Sequence, residues 1–196
     1  LGSGSTFPVS AQDQAPAISA AQSPEPLSAD ELEVLIARIA LYPDELVALI
    51  SGAALYPLEI VEAARFLDGY TKDKSLQPKA SWDGSVVSLL NYPEIVKMMS
   101  DDLDWTQTLA EALAYQQKGV LIAIQQLREE AVAKGIIKTD NKIKVVTETD
   151  NVVIQSASTE AVYVPRYEPE MLYVADYVPA PIAYYPEPYP HYWYPT

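Results

Sequence analysis

The sequence predicts a mainly α protein with a small antiparallel β appendage, that is, an α+β fold. Tyr-Pro recurs three times between apolar runs, beginning at Tyr42, Tyr56 and Tyr92. Proline fixes φ and lacks an N–H group, so it suits the first turn of a helix and ends the helix before it. Apolar residues at spacings of three and four extend to about residue 138, and β-branched runs follow. We therefore expect a multi-helix orthogonal bundle of short helices with Tyr-Pro corners, followed by a meander of three to four strands.

Composition divides the 196 residues into four parts. The first part is rich in Ser, Ala, Gln and Pro, lacks periodicity and indicates a flexible leader. Its first five residues fit either an expression scar or a mature N-terminus left after removal of a signal peptide. The predicted parts are a leader (1–27), a helical domain (28–138), a small β segment (139–178) and a Tyr/Pro-rich tail (179–196).

The charge and the residue types that are missing exclude several functions. A formal net charge of −14 argues against nucleic-acid partners and against attachment to anionic lipid. No run approaches the roughly 20 apolar residues that span a bilayer, so we predict no membrane-spanning segment. The chain has no Cys and a single His, His191, which excludes thiol nucleophiles, disulfides and the usual zinc sites. We predict neither a metal nor another cofactor.

Capping signals define the helix starts. Ser28 and Glu31 form a capping box ahead of a helix that should end near Leu41. Asp83 is placed to cap a short apolar stretch. Further helices are expected from Pro43 to about Ser51, from Pro57 to about Leu67 and from Pro93 to about Ser100.

The longest predicted helix covers roughly residues 104–134. Asp102 or Asp104 should cap it, and its apolar stripe has helical spacing. Gly119 interrupts the stripe and indicates a kink or a close helix contact. Gly135 follows the last periodic residue, as expected of a helix C-cap.

Four β-branched or aromatic runs follow the helices. Residues 143–147 and 152–155 flank a polar turn and predict a hairpin. Residues 161–164 and 171–174 predict two further strands, with prolines bounding the connection between them. Beyond Asp176 the density of proline favours extended polyproline II over helix or sheet.

Several stretches together resemble the bacterial domain-of-unknown-function 3300 family. The matching residues cover about positions 28–178 in the same order, namely Ile39–Asp44, Tyr56–Arg65, Trp82-Asp83 with Ser85-Val86, Asp102–Gln107, Gln126–Arg128, and Val162–Pro165 with Tyr167 and Pro169. Gly84 stands where the family pattern leads us to expect proline. The resemblance implies an exported protein of Gram-negative bacteria, in the periplasm or at the cell surface, with a helical region followed by a short β segment. It implies no activity.

Acidic residues offer two candidate chemistries. The cluster Asp101, Asp102 and Asp104 supplies the oxygen ligands that Ca²⁺ prefers, but it lacks the twelve-residue loop pattern, so helix capping explains it better. Glu59 and Glu62 are a carboxylate pair of the kind that glycoside hydrolysis requires.

Asp44 and Glu45 form a second such pair. Both pairs lie in first turns of predicted helices, where the helix dipole and solvation are sufficient reasons for them. No catalytic constellation is recognisable, and we predict a non-catalytic protein.

The tail carries the predicted binding residues. Tyr and Trp are favoured in interfaces because they bring contact area at low entropy cost, and proline lowers the ordering cost further. We predict docking to a protein partner in an envelope complex, with a disordered terminus of biased composition as the alternative. A glycan-binding module that stacks polysaccharide on exposed rings, and a hydrolase that uses Glu59 or Glu62, stay open as alternatives. The predicted contacts are Tyr184, Tyr185, Tyr189, Tyr192, Trp193 and Tyr194.

Overall fold

The structure is a computed structural model that describes residues 1–2 and 23–190. In this part of the chain, seven α-helices precede three two-stranded antiparallel sheets, which confirms the predicted mainly α class with a small β part. The helices are α1 (Ala29–Ile36), α2 (Asp44–Ala53), α3 (Pro57–Tyr70), α4 (Gly84–Leu89), α5 (Pro93–Asp101), α6 (Leu103–Tyr115) and α7 (Gln117–Ala133).

The strands pair across the C-terminal third of the chain. They are β1 (Ile143–Glu148), β2 (Asn151–Ser156), β3 (Ala161–Val162), β4 (Pro165–Arg166), β5 (Ala183–Tyr184) and β6 (Tyr189–Pro190), with a 3₁₀ helix at Pro169–Leu172. The sheets pair β1 with β2, β3 with β6, and β4 with β5.

The Tyr-Pro corners form as predicted, but only two of the three rings are buried. Tyr42 and Tyr92 are 5% and 1% exposed, whereas Tyr56 is 39% exposed. Tyr56 stays at the surface, where its hydroxyl hydrogen-bonds the carboxylate of Asp83. At this corner α2 and α3 are bent by 110° relative to each other.

The predicted caps are confirmed. Ser28 and Glu31 form both hydrogen bonds of the capping box, and the carboxylates of Asp83 and Asp102 accept from backbone N–H groups in the first turns of α4 and α6. Gly135 adopts the left-handed φ of +70° that a helix C-terminus favours. The first helix ends at Ile36, earlier than predicted, and turns lead from it to the first corner.

The single long helix predicted over residues 104–134 is wrong, because Gln116 breaks it. The backbone of Gln116 has φ −134° and ψ 33°, outside the helical region. Its side-chain amide accepts the N–H of Leu27 and donates to the C=O of Leu27, both at 2.8 Å. The helix is therefore interrupted between α6 and α7, and the side chain at the break holds the segment that precedes α1. We call this pair of hydrogen bonds the clamp.

Gly119 marks the close approach of α7 to α1. A Cβ atom at Gly119 would lie 2.8 Å from Cδ1 of Leu32, closer than van der Waals contact permits. This confirms the close helix contact predicted at Gly119 and shows that the break lies elsewhere. The shared core continues through both helices and includes Ile36, Val120, Ile124 and Leu127.

The hairpin β1–β2 is confirmed, and side chains cover part of its outer edge. Its register runs from Ile143 opposite Ser156 to Glu148 opposite Asn151. The hydroxyl of Thr139 accepts the N–H of Val145 at 2.9 Å and donates to the C=O of Val145 at 3.0 Å. The carboxylate of Asp140 accepts the N–H of Ile143 at 2.9 Å, and the backbone N–H of Asp140 donates to the C=O of Ile143 at 3.0 Å.

The rest of the predicted meander is wrong. Residues 171–174 form no strand, because Pro169 starts the 3₁₀ helix and places the consecutive residues Met171 and Leu172 both in the core, whereas a strand would direct them to opposite faces. Of the run 161–164 only the first two residues form a strand. The strands β3 and β4 pair with the C-terminal segment instead of with each other.

Candidate functional site

Three of the six predicted contact residues lie in a segment that the domain itself holds. We call residues 182–190 the strap. Tyr184 belongs to β5, Tyr185 follows it, and Tyr189 opens β6. All three are half-buried against the core rather than free, which differs from the exposed rings that the sequence led us to expect. Tyr192, Trp193 and Tyr194, like His191, lie outside the described residues.

Tyr184 fastens the first half of the strap. Its hydroxyl donates to Oδ2 of Asp140 at 2.6 Å, and its ring lies edge-on to Tyr163, with 6.4 Å between centroids. The ammonium group of Lys142 lies 4.8 Å from the Tyr184 ring centroid, within cation–π range. Burial raises the pKa of Asp140, but hydrogen bonds from Tyr184 and from the N–H groups of Ile143 and Lys142 outweigh burial and hold that pKa below its usual value.

Tyr189 fastens the second half. Its hydroxyl hydrogen-bonds Oε2 of Glu94, in the first turn of α5, and its ring packs 5.4 Å from the ring of Tyr92 at the third Tyr-Pro corner. Burial, followed by the hydrogen bond to Glu94, raises the pKa of the Tyr189 hydroxyl, so this group stays a protonated donor. A corner residue of the helical domain is thus also a contact for the strap.

Main-chain pairing supplements these side-chain contacts. The N–H of Ile182 donates to the C=O of Ile136, and the N–H of Tyr185 donates to the C=O of Val164, both at 3.0 Å. The guanidinium carbon of Arg166 lies 6.0 Å from the Tyr185 ring centroid. Backbone hydrogen bonds and two carboxylates, those of Asp140 and Glu94, therefore bind the strap.

An apolar surface precedes the strap. Val174, Tyr177 and Val178 are exposed by 42%, 41% and 79% of their surface. Tyr177 and Val178 line a cavity of about 460 Å³ together with Met171 and Tyr185. Exposed apolar groups grouped around a concavity are typical of interaction surfaces.

A second, more polar groove runs between α3 and α5. It has a volume of about 520 Å³ and carries both signs of charge, with Arg65 and Asp68 on α3 and Lys97 and Asp101 on α5. Lys97 and Asp101 form an ion pair at 2.6 Å. Glu94, which binds the strap, also lines this groove.

The carboxylates considered for hydrolysis serve as acceptors within the fold. Oε2 of Glu59 accepts the N–H of Asp83 at 2.8 Å. Glu62 accepts from Nζ of Lys79 at 2.7 Å and from Nε1 of Trp82 at 2.9 Å. These two bonds lower the pKa of Glu62, which is the opposite of the raised pKa that a general acid requires.

The acidic cluster at the start of α6 has the capping role that the sequence favoured. Asp102 accepts the N–H of Trp105 at 3.1 Å and pairs with Arg38 at 2.7 Å, and these contacts lower its pKa. Its neighbour Asp101 pairs with Lys97 on α5. Among the described residues no three His, Cys, Asp or Glu side chains are grouped so that they could hold a metal ion.

Sequence reasoning missed Arg128 as the centre of a polar network. Its side chain is 3% exposed, and its Nη1 binds Oδ1 of Asp44 at 2.6 Å. The same guanidinium donates to the carbonyls of Ala40 at 2.7 Å, Tyr42 at 3.0 Å and Val152 at 2.9 Å. The available signal was its position four residues after Ile124, on the apolar face of α7.

Within residues 23–190 no single helix is long and apolar enough to cross a bilayer. The pair α2 and α3 meets the length and composition criteria only when joined across its 110° bend.

The model of one protein family, described as "Protein of unknown function (DUF3300)", matches residues 28–196. The chain is also similar to the "Uncharacterized protein YacH" of Escherichia coli (strain K12), with 27% identity over 146 residues. That alignment covers 72% of this chain and 23% of YacH, so the chain spans less than a quarter of the length of this relative. No solved structure matches the chain.

Proposed function

We propose a docking function for this chain, which belongs to the DUF3300 family: it is a non-catalytic protein of the bacterial envelope that binds a protein partner through its Tyr/Pro-rich C-terminal segment. The observation that carries the proposal is the exposed apolar run Val174, Tyr177 and Val178, of which the last two line a cavity of about 460 Å³. The strap holds this run at its C-terminal end. A partner would therefore meet a surface anchored at that end.

The proposal gives the tyrosines two different tasks. Tyr184 and Tyr189 fasten the segment to the domain through Asp140 and Glu94. Residues 174–181 form the contact surface, and the prolines at 179 and 181 lower the entropy that ordering this surface costs. Tyr192, Trp193 and Tyr194 remain part of the proposed contact.

Export to the periplasm or the cell surface belongs to the same proposal. Its support is the composition of residues 1–27 and the similarity to a protein of Escherichia coli, a Gram-negative bacterium. Fractionation of cells that express the natural gene tests it. Recovery of the protein in the osmotic-shock or surface fraction is expected, and recovery only with a cytoplasmic marker contradicts it.

Site-specific photo-crosslinking tests the docking surface. A photoreactive amino acid at Val178 is expected to give a discrete adduct in intact cells. The same amino acid at Leu58, which is 72% exposed on α3, is the matched control. An adduct of equal yield at both positions, or none at Val178, contradicts the proposal.

Two further variants locate the contact. Tyr177→Asp should remove the Val178 adduct, because a charge on the apolar surface must be desolvated on docking. A chain that stops after Pro190 tests whether Tyr192, Trp193 and Tyr194 contribute. If that truncation alone abolishes the adduct, the contact lies beyond the strap.

Glycan binding is distinguished by a separate measurement. The ring of Tyr177 borders the cavity and offers a surface on which a sugar could stack. Titration with cell-wall or exopolysaccharide fragments, followed by NMR of the Tyr177 ring, should leave the signal unchanged if the partner is a protein. A saturable shift that Tyr177→Ala abolishes favours a glycan instead.

A further inference from the structure

The strap is bound by residues far from it in sequence. Its hydroxyl acceptors are Glu94 and Asp140, and its main-chain acceptors are Ile136 and Val164. Its two strands pair with residues 161–162 and 165–166. These residues therefore form a binding site for an extended segment with two tyrosines five positions apart. We call this site, made by Glu94, Ile136, Asp140 and residues 161–166, the receptor.

The receptor has open strand edges when the strap leaves. In the described part of the chain, β3 pairs only with β6 and β4 pairs only with β5. Release of the strap exposes the backbone groups of both short strands, and exposed strand edges recruit other strands. A segment that restores the same ladder satisfies these groups again.

The connection to the strap is long enough to reach a second molecule. Residues 173–181 join the 3₁₀ helix to the strap, and residues 174–181 are exposed. When extended, this connection spans at most about 30 Å. Four hydrogen bonds hold it. At its start the N–H groups of Tyr173 and Val174 donate to the C=O of Glu170. Further along, the N–H of Tyr177 donates to the C=O of Val174, and the N–H of Ala180 donates to the sulfur of Met171.

We propose that the strap exchanges between two copies of this chain, so that residues 182–190 of one copy occupy the receptor of the other. Tyr184 and Tyr189 then donate to Asp140 and Glu94 of the second copy, and β5 and β6 pair with that copy's β4 and β3. The contacts are the same within and between chains, which makes exchange of an identical element a low-cost route to a dimer. This association goes beyond the docking of a foreign partner and does not depend on it.

Electrostatic repulsion between two copies opposes the dimer, but the strap itself contributes little to this repulsion. Each copy has a formal net charge of −14, but the strap carries a single charged residue, Glu187. Salt screens repulsion between two acidic molecules. The dimer fraction is therefore expected to rise with ionic strength, whereas an association driven by ion pairs would fall.

Engineered cysteines test the exchange in the full chain, which has no cysteine of its own. Arg166 and Ala183 are exposed and face each other across β4 and β5, in a pairing geometry that a disulfide can bridge. The single variants Arg166→Cys and Ala183→Cys, carrying tags of different size, are mixed and oxidised mildly. A disulfide between them requires the strap of one copy on β4 of the other.

We expect the yield of the mixed covalent dimer to be several-fold higher than the yield from a control pair. The control pair is Lys118→Cys with Ala183→Cys, in which the first cysteine lies on the outer surface of α7. The mixed dimer should increase with protein concentration and with salt. Equal yields from the two pairs overturn the proposal.

The double variant Arg166→Cys/Ala183→Cys supplies the second measurement. Crosslinks only within single chains at every concentration also overturn the exchange. Because these measurements use purified protein alone, their failure leaves the docking proposal and its crosslinking experiment unaffected.

Discussion

Arg128 and Asp44 join the longest helix to the first Tyr-Pro corner. Nη1 of Arg128 donates to Oδ1 of Asp44 at 2.6 Å, although the two residues are 84 positions apart. The arginine is buried and the carboxylate is half-exposed, with side-chain exposures of 3% and 45%. Nε and Nη2 of the same guanidinium donate to the carbonyls of Ala40 and Tyr42. A single side chain thus binds two carbonyl groups of the turn that links α1 to α2.

Replacing Arg128 by methionine should be strongly destabilising. The change removes the donors from three buried carbonyl acceptors, and each unsatisfied group costs about 1–3 kcal/mol. We expect a loss of about 3 kcal/mol in the free energy of unfolding, measured by urea denaturation. Asp44→Asn keeps an acceptor oxygen for Nη1 but removes the negative charge beside the buried guanidinium, so it should also destabilise the fold, by less than Arg128→Met.

Arg65→Met is the matched control, because Arg65 is an exposed arginine on α3. Surface changes of this kind usually stay within about 0.5 kcal/mol. Equal stability losses for the two arginine variants would show that the network around Arg128 does not hold the corner.

Replacing Gln116 by alanine should release the segment before α1. The amide of Gln116 supplies both hydrogen bonds to the backbone of Leu27, so we expect a stability loss of about 1–2 kcal/mol. Hydrogen exchange of the Leu27 amide should accelerate in the variant. Gln117→Ala, an exposed glutamine at the first position of α7, is the control, and equal acceleration in both variants would contradict the clamp.

Gly135→Ala should destabilise the end of α7 by about 1 kcal/mol. The space around this Cβ position is open, so the cost arises from the left-handed backbone, with φ +70°, and not from a clash. Gly84→Ala tests the distinction, because that position is also open but has no left-handed φ. Thermal unfolding should show a lower Tm for the first variant and no loss for the second.

Tyr184→Phe should weaken the strap in a pH-dependent manner. The pKa of Asp140 is lowered in the folded state, so its stabilisation is present above the unfolded pKa of about 3.9 and is lost as pH falls through the folded value. Because Asp140 is only slightly buried and solvent screens its contacts, the variant should lose only about 0.5 kcal/mol at pH 6.

Amide exchange of Tyr185, whose N–H pairs with Val164, measures strap release. The difference between wild type and Tyr184→Phe should shrink as the pH is lowered below the unfolded pKa. Tyr163→Phe, which keeps the neighbouring ring and loses a hydroxyl outside these contacts, is the control. A difference that does not depend on pH would exclude Asp140 as the acceptor that matters.

Local features of this fold could be predicted from the sequence. The capping box at Ser28, the caps at Asp83 and Asp102, the C-cap at Gly135 and the β1–β2 hairpin each depend on residues only a few positions apart. Their physical causes lie within a single turn or hairpin, and such causes are visible in one chain.

Features that depend on distant partners could not be predicted. The break at Gln116 follows from a bond to Leu27, 89 positions away, and the strap bond between Tyr189 and Glu94 spans 95 positions. Proline density favoured an extended tail, which agrees with the strap, but composition does not reveal the edge on which an extended segment lies. The tyrosines were therefore predicted as contacts without their acceptors.

The side chains beside the hairpin decide where this protein can polymerise. Thr139 and Asp140 already occupy the outward hydrogen-bonding groups of Val145 and Ile143, so that edge offers little template for fibril growth. Residues 139 and 140 therefore obstruct the stacking of molecules along the outer edge of β1. Concentrated or heated solutions should therefore form strap-exchanged dimers before they form amyloid.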